Sequence, residues 1–153
     1  MRMQTETRMT TTIRNARNYD APAIAELCAQ LGYPATRQQI ATRLAGIESE
    51  PASRVFVAEN NEGQVIGWLH VAARSQLTED ACAEILGLVV DESARGGGIG
   101  LALVNAAESW ARARGCVHIR VRSRSERERA HRFYERAGYA RNKVQLVLRK
   151  PLA

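Results

Sequence analysis

Long apolar runs are missing from this 153-residue chain, and stretches such as 85–90 are far shorter than a bilayer requires. A helix that spans a membrane needs about 20 apolar residues. Disulfide-type and metal-type cysteine spacings are missing as well. Cys28, Cys82 and Cys116 are odd in number, which excludes a full disulfide framework. They fit reduced thiols and a cytoplasmic location. His70, His118 and His131 stand apart from one another and from the cysteines, so no metal is expected. The opening residues, MRMQTETRMTTT, lack the apolar core of a secretory signal. Lysine is scarce too: almost all of the positive charge is arginine.

The rest of the composition is that of an ordinary globular chain, with 45% hydrophobic and 25% charged residues. Its length suits one domain with one core. The expectation is a polar, flexible segment over 1–12 and a single domain over 13–153. Lys+Arg 22 against Asp+Glu 16 leaves a net charge of +6. That balance favours anionic partners, and a small anionic molecule suffices.

The densest chemical signal runs from Glu84 to Gly100, EILGLVVDESARGGGIG. It reads as an apolar strand, a glycine-rich turn and the start of a helix. Such a helix N-terminus presents bare backbone N–H groups to an anion, and phosphate is the usual guest. The strand beside it offers backbone to an extended ligand. A phosphate-bearing cofactor with a long polar tail matches both features.

Around this segment the pattern alternates short strands and helices. A strand at 13–16 precedes a helix N-capped by Asp20, with Pro22 in its first turn and Gly32 at its end. A second helix covers 36–48. Strands at 54–59 and 64–73 flank Asn60-Asn61-Glu62-Gly63, a hairpin signal. A strand at 82–90 leads to a helix at 98–114 with Ile99, Leu103, Ala106 and Trp110 on its buried stripe. Another strand lies at 116–122, a helix at 126–137 and a final strand at 143–149. This order predicts an α+β fold.

A second motif runs through the last expected helix and just past its end: Ala130-His131-Arg132-Phe133-Tyr134-Glu135-Arg136-Ala137-Gly138-Tyr139. Arg95-Gly96-Gly97-Gly98-Ile99-Gly100 resembles the R/Q-x-x-G-x-G loop of the GNAT N-acetyltransferase superfamily. The helix motif resembles that family's A-x-x-F-Y-x-x-x-G-F/Y signature. The likeness follows element order over about 13–150 and is sharp from 84 to 139. It implies a mixed, mostly antiparallel sheet of six to seven strands with helices on both faces. It also implies acetyl-CoA as acyl donor, a primary amine as acceptor, direct attack in a ternary complex, and often a homodimer.

By that resemblance the pyrophosphate sits on the N–H groups of Gly96, Gly98, Ile99, Gly100 and Leu101, with Arg95 adding a charge-assisted contact. The pantetheine arm runs along the backbone of Leu88, Val89 and Val90, where an N–H also polarises the thioester carbonyl. Tyr134 matches the residue that donates a proton or hydrogen bond to the departing thiolate. Glu84 is the candidate general base, eleven residues before Arg95. Other family members hold an acidic residue two places later, where this chain has Leu86. Arg127 stands where many members have Asn and takes no assigned role.

Competing readings are weaker. A dinucleotide-binding fold fails its G-x-G-x-x-G fingerprint, because Leu101 occupies the third glycine place. The arginine tract from Arg120 to Arg136 is interleaved with Glu126, Glu128 and Glu135, which describes a solvated face and not a nucleic-acid surface. A non-catalytic acyl-CoA sensor is the alternative function, and Tyr134 and Glu84 argue against it. A small-molecule acceptor is favoured over protein.

Overall fold

The computed structural model describes residues 10–153. Nine of the twelve residues expected as a flexible lead, 1–9, lie outside the described residues, and Thr12 already begins the first strand. The elements are β1 (Thr12–Asn15), α1 (Ala21–Leu31), α2 (Arg37–Glu48), β2 (Ser53–Glu59), β3 (Val65–Gln76), β4 (Glu79–Val90), α3 (Ile99–Ala113), β5 (His118–Val121) and α4 (Glu128–Arg136). The chain divides into two compact units with the boundary between Val121 and Arg122.

The first unit carries a five-stranded sheet in the order β1-β2-β3-β4-β5. Its first three pairings are antiparallel, and the last, β4 with β5, is parallel. This is the expected α+β fold with an open, mostly antiparallel sheet, built on five strands where six to seven were expected. Residues 143–149 alternate as a strand should, yet they carry no regular structure. A strand exists only where a neighbour completes its backbone hydrogen bonds, and no ladder includes this segment among the described residues.

Helices cover both faces. On one, Val55 and Val57 of β2 pack with Ala21, Ile24 and Ala25 of α1 and with Ile40 and Leu44 of α2. On the other, a Cβ built at Gly67 of β3 would lie 3.3 Å from Leu103 and 3.6 Å from Ile99 of α3. The missing side chain lets α3 press close to the sheet. The buried stripe of α3 is Ile99, Leu103, Val104, Ala107 and Ala111, so Ala106 and Trp110 of the expected stripe stand aside. Trp110 is half-buried and carries the Arg114 guanidinium 5.0 Å from its ring centre.

Local signals set the turns. Thr36 caps α2 by accepting from the Gln39 N–H at 3.0 Å, and Gln39 returns a bond to the Thr36 N–H. The Asn60 side chain accepts from the N–H groups of Glu62 and Gln64 and closes the β2–β3 hairpin. Asp20 does not cap α1 with its side chain, as its sequence position suggests. A 3-10 turn over Asn18–Asp20 directs its carboxylate to Arg14 instead.

The second unit contains α4, which ends at Gly138 in the left-handed region, φ 97°. No helix among the described residues is long and apolar enough to cross a membrane.

Candidate active site

The site begins with an irregularity in β4. His70 of β3 pairs with Gly87, but the next residue, Val71, pairs with Ile85, so Leu86 is an extra residue in β4. This is a β-bulge, which kinks a strand and ends regular pairing. On the opposite edge, the parallel ladder with β5 stops at Ile85 and Val121, just before the bulge. From Leu86 to Val90 no strand flanks that edge of β4 among the described residues. The backbone of Leu88, Val89 and Val90 is thereby available to an extended ligand. The Val89 side chain is buried at 4% exposure, so core packing and backbone binding coexist on this strand.

Beyond Val90 the chain turns sharply. Asp91 accepts from the Ser93 N–H at 2.9 Å and from the Gln30 amide at 3.0 Å, which ties the turn to α1. Gly96 and Gly98 adopt φ of 86° and 81°, and a Cβ at either would point into open space. Both lie in the left-handed region that favours glycine. Gly98 is the N-cap of α3, whose ladder starts with the Ala102 N–H donating to the Gly98 carbonyl at 3.0 Å. The N–H groups of Ile99, Gly100 and Leu101 therefore precede the first helical bond and lack helical acceptors. Ile99 buries its side chain against the sheet, which fixes the helix start. Arg95 donates from Nε to the Val90 carbonyl at 3.1 Å and is thus anchored over the strand end. These features fit the pyrophosphate and pantetheine of CoA: an open, glycine-lined helix N-terminus follows directly on a strand with a free edge.

Glu84 lies two residues before the bulge residue Leu86 and is 2% exposed. Its Oε2 meets Arg74 Nε at 2.6 Å, and its Oε1 lies 3.8 Å from Arg120 Nε. A carboxylate flanked by two guanidiniums on adjacent strands is a positioned charge.

A cavity of about 690 Å³ lies on the same side of the sheet, between α2 and strands β3 and β4. Arg43, Glu50, His70, Arg74 and Leu86 line it. Burial, with nearby Arg74 adding to it, pushes the His70 imidazole below its ordinary pKa, so the ring is neutral at pH 7. In the sequence His70 stands isolated, and nothing marks Arg74 as a site residue. The bulge did leave one signal: Gly87 sits in mid-strand, where glycine marks a bulge or a close approach. A Cβ at Gly87 would lie 2.7 Å from the Trp68 ring.

Tyr134 belongs to the second unit. Its ring meets Phe133 and Tyr139 edge-on, with centroids 5.1 and 5.6 Å apart. Burial pushes its phenol up to about 12. The group therefore stays protonated through neutral pH, as a donor must. Arg127 stands at the N-terminal boundary of α4.

Strand pairing also assembles a group that spacing alone hid. Donor atoms of Glu79, Cys82 and His118 all lie within 4.8 Å of one another. The histidine that looked isolated in sequence is the cross-strand partner of Cys82.

A free strand edge that leads into a glycine-lined helix N-terminus is an arrangement able to take an anionic ligand with an extended arm. Residues 19–139 match the model of the acetyltransferase (GNAT) family. Two aminoglycoside N(6')-acetyltransferases type 1 are similar in sequence. The protein from Klebsiella aerogenes is 31% identical over 119 residues, 76% of this chain and 78% of that protein. The one from Stenotrophomonas maltophilia is 30% identical over 145 residues, 92% and 94% of the two chains. The solved structure of aminoglycoside N-acetyltransferase AAC(6')-Iy in complex with CoA shares the fold, with a TM-score of 0.84 at 18% identity over 93% of this chain and 95% of its own. The chain belongs to the GNAT acetyltransferase family and is an acetyl-CoA-dependent N-acetyltransferase.

Proposed function

We propose that the chain acetylates a primary amine on a small molecule, with the amine attacking directly while both substrates are bound. The observation that carries this reading is the 690 Å³ cavity whose wall includes Leu86, at the bulge where the β4 edge becomes free. An acceptor seated there lies beside the strand proposed to hold the acyl donor.

Acetyl-CoA supplies an activated thioester carbonyl. The N–H groups of Gly96, Gly98, Ile99, Gly100 and Leu101 hold its pyrophosphate, and Arg95 adds charge. Leu88, Val89 and Val90 align the pantetheine arm by backbone pairing, as an added strand. The acceptor enters as an ammonium and must lose a proton before it can attack. Glu84 takes that proton, through a water where the amine does not reach it. Tyr134 donates to the departing thiolate. With a phenol near 12 and a thiol near 8.5, hydrogen bonding is its main contribution. The whole of 13–153 acts as one functional domain, in line with a family match that runs across the boundary at Val121.

The cavity also bears on the acceptor. Glu50 is the one carboxylate in its lining, against Arg43 and Arg74. A wall of that charge suits a small amine of low positive charge. The aminoglycoside acetyltransferase relatives make aminoglycosides the natural comparison. The test is acetyl-CoA-dependent thiol release over a panel of amino sugars, amino acids, polyamines, aminoglycosides and lysine peptides. Turnover with a small amine and none with peptides is expected. Release no faster than background hydrolysis with every amine would favour the sensor, and preference for peptides would overturn the small-molecule assignment.

A further inference from the structure

We propose that Glu79, Cys82 and His118 form a binding site for a divalent cation of the zinc class. The site lies at the start of β4 and β5, in the first unit. Glu79 and Cys82 are three residues apart at the head of β4, and the parallel ladder sets His118 opposite Cys82. Three different donors thus converge from two strands.

The distances fit one ion. Cys82 Sγ lies 3.7 Å from Glu79 Oε1, and His118 Nε2 lies 3.8 Å from Glu79 Oε2. Ligands bound tetrahedrally at about 2.0 and 2.3 Å are about 3.5 Å apart. Small side-chain rotations close the remaining gap while the strands stay in place. A thiolate, an imidazole and a carboxylate suit zinc, whereas magnesium and calcium require oxygen sets. Three protein ligands leave the fourth position for water.

Charge balances as well. On binding, the Cys82 S–H bond breaks, a sulfur–metal bond forms and the proton passes to solvent. The thiolate and the Glu79 carboxylate together neutralise a doubly charged ion. One group competes: Arg120 donates from Nη1 to Glu79 Oε1 at 2.7 Å. Its Nε has no hydrogen-bond partner among the described residues and lies 3.8 Å from Glu84 Oε1. The incoming ion displaces the guanidinium from Glu79, and Glu84 is placed to receive it. The bound ion clamps the parallel strand pair of this sheet at its opening residues.

Cobalt(II) titration of the full-length, metal-stripped protein tests the site. One equivalent of Co²⁺ is expected to give a thiolate-to-cobalt charge-transfer band with tetrahedral d–d absorption, and Zn²⁺ should displace it. Cys82→Ser should abolish the band, while Cys28→Ser should leave it intact. Because Cys82 is fully buried, His118→Ala provides the second arm. His118 is exposed, and its loss should weaken Co²⁺ binding at least about tenfold without unfolding the chain. Absence of the band in the parent protein, its survival in Cys82→Ser, or unchanged affinity in His118→Ala would each overturn the site.

Discussion

The buried carboxylate of Glu84 receives the Arg74 Nε at 2.6 Å, and Arg74 in turn lines the cavity proposed for the acceptor. One residue thus holds a cavity-wall cation in place while presenting its own charge on the same face of the sheet. Glu84→Gln removes the charge and leaves the guanidinium to find water. Losing one partner of a fully buried pair costs about 3–5 kcal/mol, and a pair with an exposed member costs less. Arg74 is 44% exposed, so a loss of about 2 kcal/mol in urea unfolding is expected. Activity separates the two roles. A general base gives the wild-type pH–rate profile its acidic limb, and Glu84→Gln should erase that limb. A variant that retains it, at reduced stability only, would restrict Glu84 to positioning Arg74.

The three consecutive glycines of the loop are not equivalent. Gly96 and Gly98 have φ of 86° and 81°, whereas Gly97 is not in the left-handed region and its added Cβ would sit 3.7 Å from the Ala94 carbonyl, an ordinary contact. An L-residue in the left-handed region costs roughly 1–2 kcal/mol. Gly96→Ala and Gly98→Ala should each lower stability by about 1 kcal/mol and weaken CoA about tenfold by calorimetry. Gly97→Ala should stay within about 0.5 kcal/mol of wild type. Equal effects at all three positions would show that backbone conformation is not what the loop requires.

What the sequence made legible was local. The Thr36–Gln39 cap and the Asn60 hairpin are set by residues within four positions of each other, and both elements were readable. The loop from Arg95 to Gly100 was readable for the same reason. Long-range facts were not. The bulge at Leu86 is defined by pairing with β3, and His118 meets Cys82 only because β5 runs parallel to β4. The stripe of α3 was half legible: Ile99 and Leu103 lie where expected, while Val104, Ala107 and Ala111 take the places expected for Ala106 and Trp110. The strand expected at 143–149 had the right alternation, but pairing is supplied by a neighbour and not by the segment itself.

Tyr134→Phe removes one oxygen from a ring that Phe133 and Tyr139 hold edge-on. Those ring contacts persist in the variant, so the melting temperature should change little. If the phenol donates to the leaving thiolate, kcat should fall about 10²-fold or more. CoA affinity should remain within about twofold, since the ground state does not use the hydroxyl. Thiol release with a competent amine and calorimetry with CoA check both halves. An unchanged kcat would remove Tyr134 from the mechanism.

Acid stability turns on Asp20, whose side chain is 3% exposed. Arg14 grips it with two nitrogens at 2.8 and 2.9 Å, and the Arg17 N–H adds a third bond at 2.7 Å. Burial alone would push this carboxyl up, but the Arg14 and Arg17 donors outweigh it, and its pKa falls below the ordinary 3.8. A folded value below the unfolded one means that the carboxylate stabilises the fold above the ordinary carboxylate range. That stabilisation disappears as pH drops through the lower, folded value. Asp20→Asn leaves Arg14 with Glu59, at 2.5 Å, as its remaining carboxylate partner. It should cost about 3 kcal/mol at neutral pH. The gap between variant and wild type should then narrow as urea unfolding is repeated at pH values falling below the ordinary carboxylate range, where the native aspartate takes up its proton. A gap of constant size across that range would mean that the ionised form of Asp20 contributes no more than its shape.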